Sequence, residues 1–135
     1  MNIVRRLYLS VAIALTLTTV AVAAPPTGTW AVNANGFAGT MVLSVDAAGN
    51  VTGSLLGNPV KGLWSESAQR LVLYRAINGT TSSTPPELIQ IYTAYMFPAS
   101  AGNPTGPKRL AGEFQAFAGT GATGPRNVFG WYASH

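Results

Sequence analysis

Few side chains in this 135-residue sequence could carry out catalysis or bind a metal. There is no cysteine, and the single histidine, His135, is the last residue, where chain ends usually fray. Nucleophilic catalysis by a Ser-His-Asp or Cys-His set therefore lacks a candidate base. The carboxylates lie far apart in the sequence and do not have the spacing of a calcium or zinc site. We expect no enzyme, no catalytic residue, no metal and no cofactor. The four carboxylates are Asp46, Glu66, Glu87 and Glu113.

Two charged residues are candidates for contact with a ligand. Arg75 has the same parity as Leu71 and Leu73 in an alternating run, so its guanidinium faces inward if the leucines do. A buried arginine needs a partner, which could be Glu113 or an anionic ligand. The alternative is that Arg75 lies near a strand end and reaches water. Glu113 alternates with apolar neighbours, and we expect it to face solvent; a wall facing a ligand is the alternative.

The other candidate contacts are aromatic. Indole and phenol rings can line a small concave pocket with apolar surface while offering a polar handle. Packing of the core explains the same residues nearly as well, and both interpretations stay open. These candidates are Trp30, Trp64, Tyr92, Tyr95 and Trp131.

The elements that must position these residues are strands. After residue 26 no stretch repeats apolar residues at helical spacing, whereas alternation is plain and turn residues interrupt it. The pattern predicts eight strands over residues 28–32, 37–46, 51–56, 60–66, 70–77, 88–97, 109–117 and 127–133.

Short connections between these runs favour sequential hairpins. We therefore predict an all-β fold, an eight-stranded antiparallel up-and-down β-barrel, with a β-sandwich as the alternative. A Greek key would need a long return connection, and none is obvious. Glycines within the predicted strands, such as Gly53 and Gly112, would help a small barrel to coil.

The first residues have the pattern of a secretory signal. A pair of arginines precedes an apolar stretch over residues 7–20, and Ala21-Val22-Ala23 fits a cleavage site. A membrane anchor is the alternative, but the apolar stretch is short for a span of about 20 residues. We predict a signal peptide over 1–23 and a single barrel domain over 24–135. The expected location is periplasmic or secreted.

Composition limits the partners of the mature chain. Without its first 23 residues the 135-residue chain retains 112, with six basic and four acidic side chains, a balance of +2. The scattered basic residues argue against nucleic acid, and we expect no membrane association after cleavage. The predicted strand over 88–97 is apolar on both faces, which indicates a homo-oligomer. A charged fraction of only 9% would oppose such association weakly.

The first, third and last predicted strands carry motifs of a known family. Gly28-Thr29-Trp30 opens the first strand, Val51-Thr52-Gly53-Ser54 lies in the third, and Phe129-Gly130-Trp131-Tyr132 lies in the last. In this layout the chain resembles the calycin barrels, and among them the avidin and streptavidin type. The resemblance implies a ligand inside the barrel and a polar contact soon after the first tryptophan, for which Asn33 or Asn35 is the candidate.

The sequence departs from the avidin pattern at two places. No aspartate follows Asp46, so the carboxylate that avidins place near the chain end is absent. The connection that closes over biotin in avidins is reduced here to Gly57-Asn58-Pro59. These differences argue against biotin as the ligand.

Two functions therefore remain. The first is a non-enzymatic barrel that binds a small apolar or amphipathic molecule in its interior. The second is a structural or protein-interaction module, such as an inhibitor of a secreted enzyme, whose interior is filled by its own side chains. Met41, Leu73, Ile91 and Phe114 are the residues expected to fill it.

Overall fold

Strands make up nearly all of the structure, a computed structural model that describes residues 24–77, 88–97, 99, 106–118 and 127–135. The predicted signal peptide lies outside these residues. In chain order the strands are β1 (Gly28–Ala34), β2 (Phe37–Val45), β3 (Asn50–Leu55), β4 (Asn58–Ser65), β5 (Arg70–Ile77), β6 (Leu88–Phe97), β7 (Arg109–Ala118) and β8 (Asn127–Ser134).

The eight strands form a closed antiparallel barrel in which each strand pairs with the next along the chain. Closure comes from β1 and β8, whose register runs from Ala31 opposite Ser134 to Ala34 opposite Trp131. The all-β up-and-down barrel is therefore confirmed, and the sandwich alternative is wrong because the first and last strands pair. None of the described residues belongs to a helix that could cross a membrane.

Two tight turns define one end of the barrel, which we call the mouth. Asn35-Gly36 joins β1 to β2 with φ values of 51° and 86°, and Leu56-Gly57 joins β3 to β4 with 51° and 78°. Positive φ at both central residues is what a type I′ hairpin turn requires. The predicted break at 57–59 is wrong by two residues, because Asn58 and Pro59 already pair with β3.

Glycines let the strands approach closely where the small barrel bends. A Cβ atom on Gly53 would overlap the carbonyl oxygen of Val42, and one on Gly112 would overlap that of Thr93. Any larger residue at these two positions would push neighbouring strands apart. Close approach of the strands thus requires glycine at both positions.

Alternate residues of every strand face inward and make one core. On β6 the inward set comprises Gln90, Tyr92, Ala94 and Met96, whereas Ile91 is 40% exposed on the outer face. The expectation that Ile91 fills the interior is wrong, because its parity is opposite to that of Tyr92. Interior side chains with no more than 1% exposure include Trp30, Met41, Leu55, Leu71, Leu73 and Leu110.

The end of the barrel opposite the mouth, which we call the base, is filled. There the indole Nε1 of Trp30 donates to the carbonyl oxygen of Pro26 at 3.0 Å. The ring of His135 packs edge-on against Trp30, with ring centroids 5.1 Å apart. The backbone N–H of Trp64 donates to the carbonyl oxygen of Gly49 at 2.8 Å. Among the described residues, these contacts pack Trp30 into the core at the base.

Candidate functional site

A cavity of about 830 Å³ occupies the mouth of the barrel. Its volume lies within the range of small-molecule sites, about 300–1,000 Å³. Strands on both sides of the barrel and the β3–β4 turn contribute its apolar walls, which include Phe37, Leu56, Ile77, Phe114 and Phe129.

One wall of this mouth cavity is a row of aromatic rings. Tyr92, Phe114 and Phe129 are direct neighbours across β6, β7 and β8. Tyr92 stacks on Phe114 with centroids 4.7 Å apart, and Phe114 lies 5.1 Å from Phe129 at a tilt of 33°. The edge of Trp131 meets Tyr92 at 5.4 Å from the base side. Because the rings support one another, the wall is held in place without a ligand.

Three of the polar side chains that line the cavity form a set that we call the polar cluster: Arg75, Gln90 and Tyr92. Arg75 and Gln90 lie opposite each other on β5 and β6 and are only 6% and 8% exposed. Nη1 of Arg75 donates to Oε1 of Gln90 at 2.7 Å, and the Tyr92 hydroxyl donates to the same oxygen at 2.7 Å. One amide oxygen therefore holds both donors in fixed positions.

Backbone carbonyl groups complete the environment of the arginine. Nε of Arg75 donates to the oxygen of Leu55 at 3.0 Å, and Nη2 donates to the oxygen of Leu56 at 3.4 Å. Leu56 is a non-glycine residue at positive φ, an uncommon conformation that presents its carbonyl to Arg75. The guanidinium is thus held by neutral groups from β3, the β3–β4 turn and β6.

Burial and charge act in opposite directions on Tyr92. Burial raises the pKa of the Tyr92 hydroxyl above its ordinary value of 10.0, and the positive charge of Arg75 opposes this rise. The hydroxyl is therefore protonated at neutral pH. It can donate a hydrogen bond to Gln90, or to a ligand that displaces that contact.

The structure brings three of the predicted site residues to the cavity or to its edge. Arg75 and Tyr92 line it directly. Trp131 is 3% exposed and supports Tyr92, while its Nε1 donates to the carbonyl oxygen of Glu113 at 3.1 Å. Arg75 faces inward and is 6% exposed, and it lies near the mouth end of β5, where it borders the cavity.

Trp30 and Trp64 lie at the base instead of in the cavity. Both are buried, at 1% and 7% exposure, and pack in the core. Nε1 of Trp64 is buried with no hydrogen-bond partner among the described residues. For these two residues the structure agrees with the core-packing interpretation that the sequence left open.

Asn33, Tyr95 and Glu113 lie on the outer face of the barrel. Oδ1 of Asn33 accepts from the backbone N–H of Gly36 at 3.0 Å and stabilises the first turn. Tyr95 is 51% exposed. Glu113 faces solvent, as expected, since Phe114 beside it faces inward. Glu113 is therefore on the wrong side of the sheet to partner Arg75, and Asn35, the other early polar candidate, is the one at the cavity rim.

Sequence reasoning missed Gln90 and Phe129 as cavity residues. Gln90 has the same parity as Tyr92 in an otherwise apolar run, which is the signal that could have found it. Its position opposite Arg75 depends on the register between β5 and β6. That register is set across a ten-residue connection, so the sequence pattern alone does not determine it.

Comparisons with known proteins bear on the fold. No protein-family model and no curated protein sequence matches this chain. A solved structure of apo shwanavidin matches with a TM-score of 0.56 over 82% of this chain and 97% of that chain. The fold is avidin-like. At 14% identity the likeness is one of fold, and it confirms the resemblance that the strand motifs indicated.

The avidin-like barrel carries its cavity chemistry on side chains that fold likeness does not determine. Within the described part of the chain, His, Asp and Glu side chains form no group of three that could hold a metal ion. The lining of the cavity provides one cation, two neutral hydrogen-bonding side chains of the polar cluster, and aromatic surface. This arrangement can orient a ligand that is polar at one end and apolar at the other.

Proposed function

We propose that this protein is a non-enzymatic binding protein that holds a small apolar or amphipathic molecule in the mouth of its barrel. The observation that carries the proposal is the mouth cavity itself, about 830 Å³ beside a buried polar cluster. Apolar walls supply the driving force for binding, and a few fixed polar groups supply orientation.

The cavity favours this function over a barrel filled by its own side chains. Met41 and Leu73 are fully buried towards the base, and Phe114 is 5% exposed. On the mouth side of Phe114 the described residues border the cavity, whose lining includes Phe37, Phe129 and Arg75. This division between a packed part and a cavity supports binding of a ligand at the mouth.

Binding in the mouth can be tested with N-phenyl-1-naphthylamine, a neutral apolar dye that fluoresces more strongly away from water. Ala116 lines the cavity on β7, and Ala116→Trp would place an indole there. Ala31 is an exposed residue on the outer face of β1, so Ala31→Trp is the matched control. We expect the wild type and the control to bind the dye alike, and the Ala116→Trp variant to bind it at least about tenfold more weakly.

Equal dye binding by all three proteins would contradict the proposal, because the dye would then be bound outside the mouth. Absence of dye binding by the wild type would contradict it as well. Near-ultraviolet circular dichroism of the Ala116→Trp variant shows whether the barrel is intact.

The proposal includes export from the cytoplasm and removal of residues 1–23. The support is the sequence pattern of a basic pair, an apolar stretch over 7–20 and Ala21-Val22-Ala23. Expression of the whole chain followed by N-terminal sequencing of the extracytoplasmic protein should find Ala24 as the first residue. An intact N-terminus in the cytoplasmic fraction would contradict this part.

The same proposal includes self-association through the outer face of β4–β8. Soluble monomers rarely expose continuous apolar patches of this extent. Only 9% of the residues in the sequence are charged, so copies repel one another weakly. Its exposed apolar residues, 40–60% accessible, are Leu63, Tyr74, Ile91, Tyr95, Phe97, Val128 and Tyr132.

Analytical ultracentrifugation tests this association with a matched pair of variants. Ile91→Lys places a charge at the centre of the apolar face, and Val42→Lys places one on β2, outside that face. We expect Ile91→Lys to shift the protein towards monomer and Val42→Lys to behave as the wild type. A monomeric wild type, or equal behaviour of the two variants, would contradict the assembly.

A further inference from the structure

Resting on the proposed function, we propose that the ligand is an organic anion, an apolar molecule with one carboxylate or equivalent oxyanion group that binds to Arg75. The apolar body would lie against Phe114 and Phe129 and extend towards the mouth. In this orientation the anionic group of the ligand would lie innermost in the barrel.

The charge of Arg75 is the first reason to expect an anionic ligand. Its side chain is 6% exposed, and moving a guanidinium out of water is costly unless an opposite charge compensates it. The groups that hold it, Gln90 Oε1 and the carbonyl oxygens of Leu55 and Leu56, are neutral. They satisfy hydrogen bonds without neutralising the charge.

No carboxylate in the described part of the chain faces Arg75. Asp46 and Glu66 lie at the base, in the β2–β3 and β4–β5 turns. Glu113 lies on the outer face of β7. A compensating anion therefore has to come from elsewhere, and the mouth cavity gives a small molecule access to the guanidinium.

The number of N–H donors on the Arg75 guanidinium is the second reason. A guanidinium has five N–H groups, and three of those on Arg75 bond to described residues. One N–H on Nη1 and one on Nη2 bond to none of them. An oxyanion suits these N–H groups, because arginine forms charge-assisted hydrogen bonds to carboxylates.

The third reason is that the Arg75 guanidinium is already held in place. Gln90 Oε1 accepts from both Arg75 and Tyr92, so the three side chains of the polar cluster restrain one another. Ordering an arginine side chain costs entropy, and here that cost is met during folding. A ligand anion then meets a donor group that needs little rearrangement.

Competition for the bound dye tests the inference on the wild-type protein. Octanoate and octan-1-ol have the same chain length and differ in the charged head group. Octan-1-ol is the more apolar, so partition into an apolar cavity alone would favour it. We expect octanoate to displace N-phenyl-1-naphthylamine at least about tenfold more effectively than octan-1-ol does, and octylamine, a cation at neutral pH, to be the weakest of the three.

Two variants, each of which removes one positive charge, then show whether Arg75 causes the preference for octanoate over octan-1-ol. Arg75→Gln should reduce the octanoate-to-octanol ratio to one or below, because partition into the apolar cavity then favours octan-1-ol. Lys61→Gln removes a positive charge from the outer face of β4 and should leave the ratio unchanged. Each ratio is measured within one variant, so a change in overall affinity does not obscure it. Arg75→Lys, which keeps the charge, should retain part of the preference.

The outcomes separate this inference from the function on which it rests. If the dye binds in the mouth but octan-1-ol competes as well as octanoate, the anion inference fails and the binding function stands. If the dye does not bind, the binding function itself fails. Glu87 lies outside the described residues, so Glu87→Gln is a further arm. An octanoate preference that arises only in this variant would overturn the inference, because Arg75 would then be neutralised by the chain's own carboxylate.

Discussion

The two ends of the barrel use the same strands for different purposes. Along β5 the inward positions change from Leu71 and Leu73, both 0% exposed, to Arg75 beside the cavity. At the base, the indole of Trp30 is packed and bonded to Pro26. At the mouth, rings and polar groups border open space. We therefore expect stability to depend mainly on the base and, under the proposed function, ligand binding to depend mainly on the mouth.

This difference means that the two properties can be changed separately. A substitution at the base should lower the free energy of unfolding and affect binding only through loss of folded protein. A substitution at the mouth should weaken binding more than it lowers stability. The predictions below test that separation in order of decreasing effect on stability.

The largest effect is expected for Trp30→Ala at the base. Truncation of a buried indole leaves a cavity and should cost about 3–5 kcal/mol of unfolding free energy. Chemical denaturation of the variant and of the wild type measures this difference. Ala31→Trp, on the outer face of the same strand, should change stability by only about 0.5 kcal/mol. A loss below about 1 kcal/mol for Trp30→Ala would show that the base is not the stabilising end.

Phe129→Ala at the mouth should weaken binding more than it lowers stability. Phe129 is half-buried and contacts Phe114, so its truncation should cost about 1–2 kcal/mol of stability. It removes part of the aromatic wall, and we expect dye binding to weaken about tenfold. Fluorescence titration and denaturation measure the two quantities. Unchanged affinity with a large loss of stability would place Phe129 with the core.

Tyr92→Phe should have a smaller effect that depends on pH. It removes one hydrogen bond to Gln90, whose Oε1 keeps the bond from Arg75, and should cost about 0.5–1.5 kcal/mol at neutral pH. The folded protein holds the phenolic proton more tightly than the unfolded chain, because burial raises the pKa of Tyr92 above 10.0.

The contribution of this group is therefore complete below pH 10 and falls as pH rises through the raised pKa of the folded state. Stability measured between pH 8 and pH 11 should fall less steeply in Tyr92→Phe than in the wild type. Parallel curves would contradict burial of this hydroxyl.

The smallest effect is expected at Asp46, in the exposed β2–β3 turn of the base. The Asn50 side chain and backbone amides lower the pKa of Asp46 below 3.8. These bonds stabilise the fold above pH 3.8, and the contribution is lost as pH falls through the lowered pKa. Asp46→Ala should lower the thermal midpoint slightly at pH 7, with a smaller difference near pH 2. An equal difference at both pH values would show that the charge is not involved.

Much of the fold could be predicted because its signals are local. Alternation within β5, β6 and β7 placed the strand ends within about one residue. Parity alone was enough to point Arg75 inward once Leu71 and Leu73 were taken as core. The Leu56-Gly57 turn was missed because a leucine at positive φ carries no turn signal.

The candidate site was less predictable because it depends on register and packing between distant strands. The contact of Arg75 with Gln90 needs the β5–β6 register, and its contact with Leu55 brings together residues 20 positions apart. Tyr95 was a candidate by residue type, and it is exposed. The alternation around Glu113 predicted that it faces solvent, and the structure agrees. Whether the interior holds a cavity depends on the volumes of all inward side chains together, which no local pattern expresses.

One measurement locates the ligand directly. Backbone amide chemical shifts of the ¹⁵N-labelled protein, recorded with and without N-phenyl-1-naphthylamine, report contacts at the mouth, the base and the outer face in one experiment. We predict the largest changes at Gly39, Gly57 and Ala116 around the mouth, and minimal changes at Gly49 of the base. Changes concentrated instead at the outer groove bordered by Phe97 and Tyr132 would contradict the claim that the ligand lies inside the barrel.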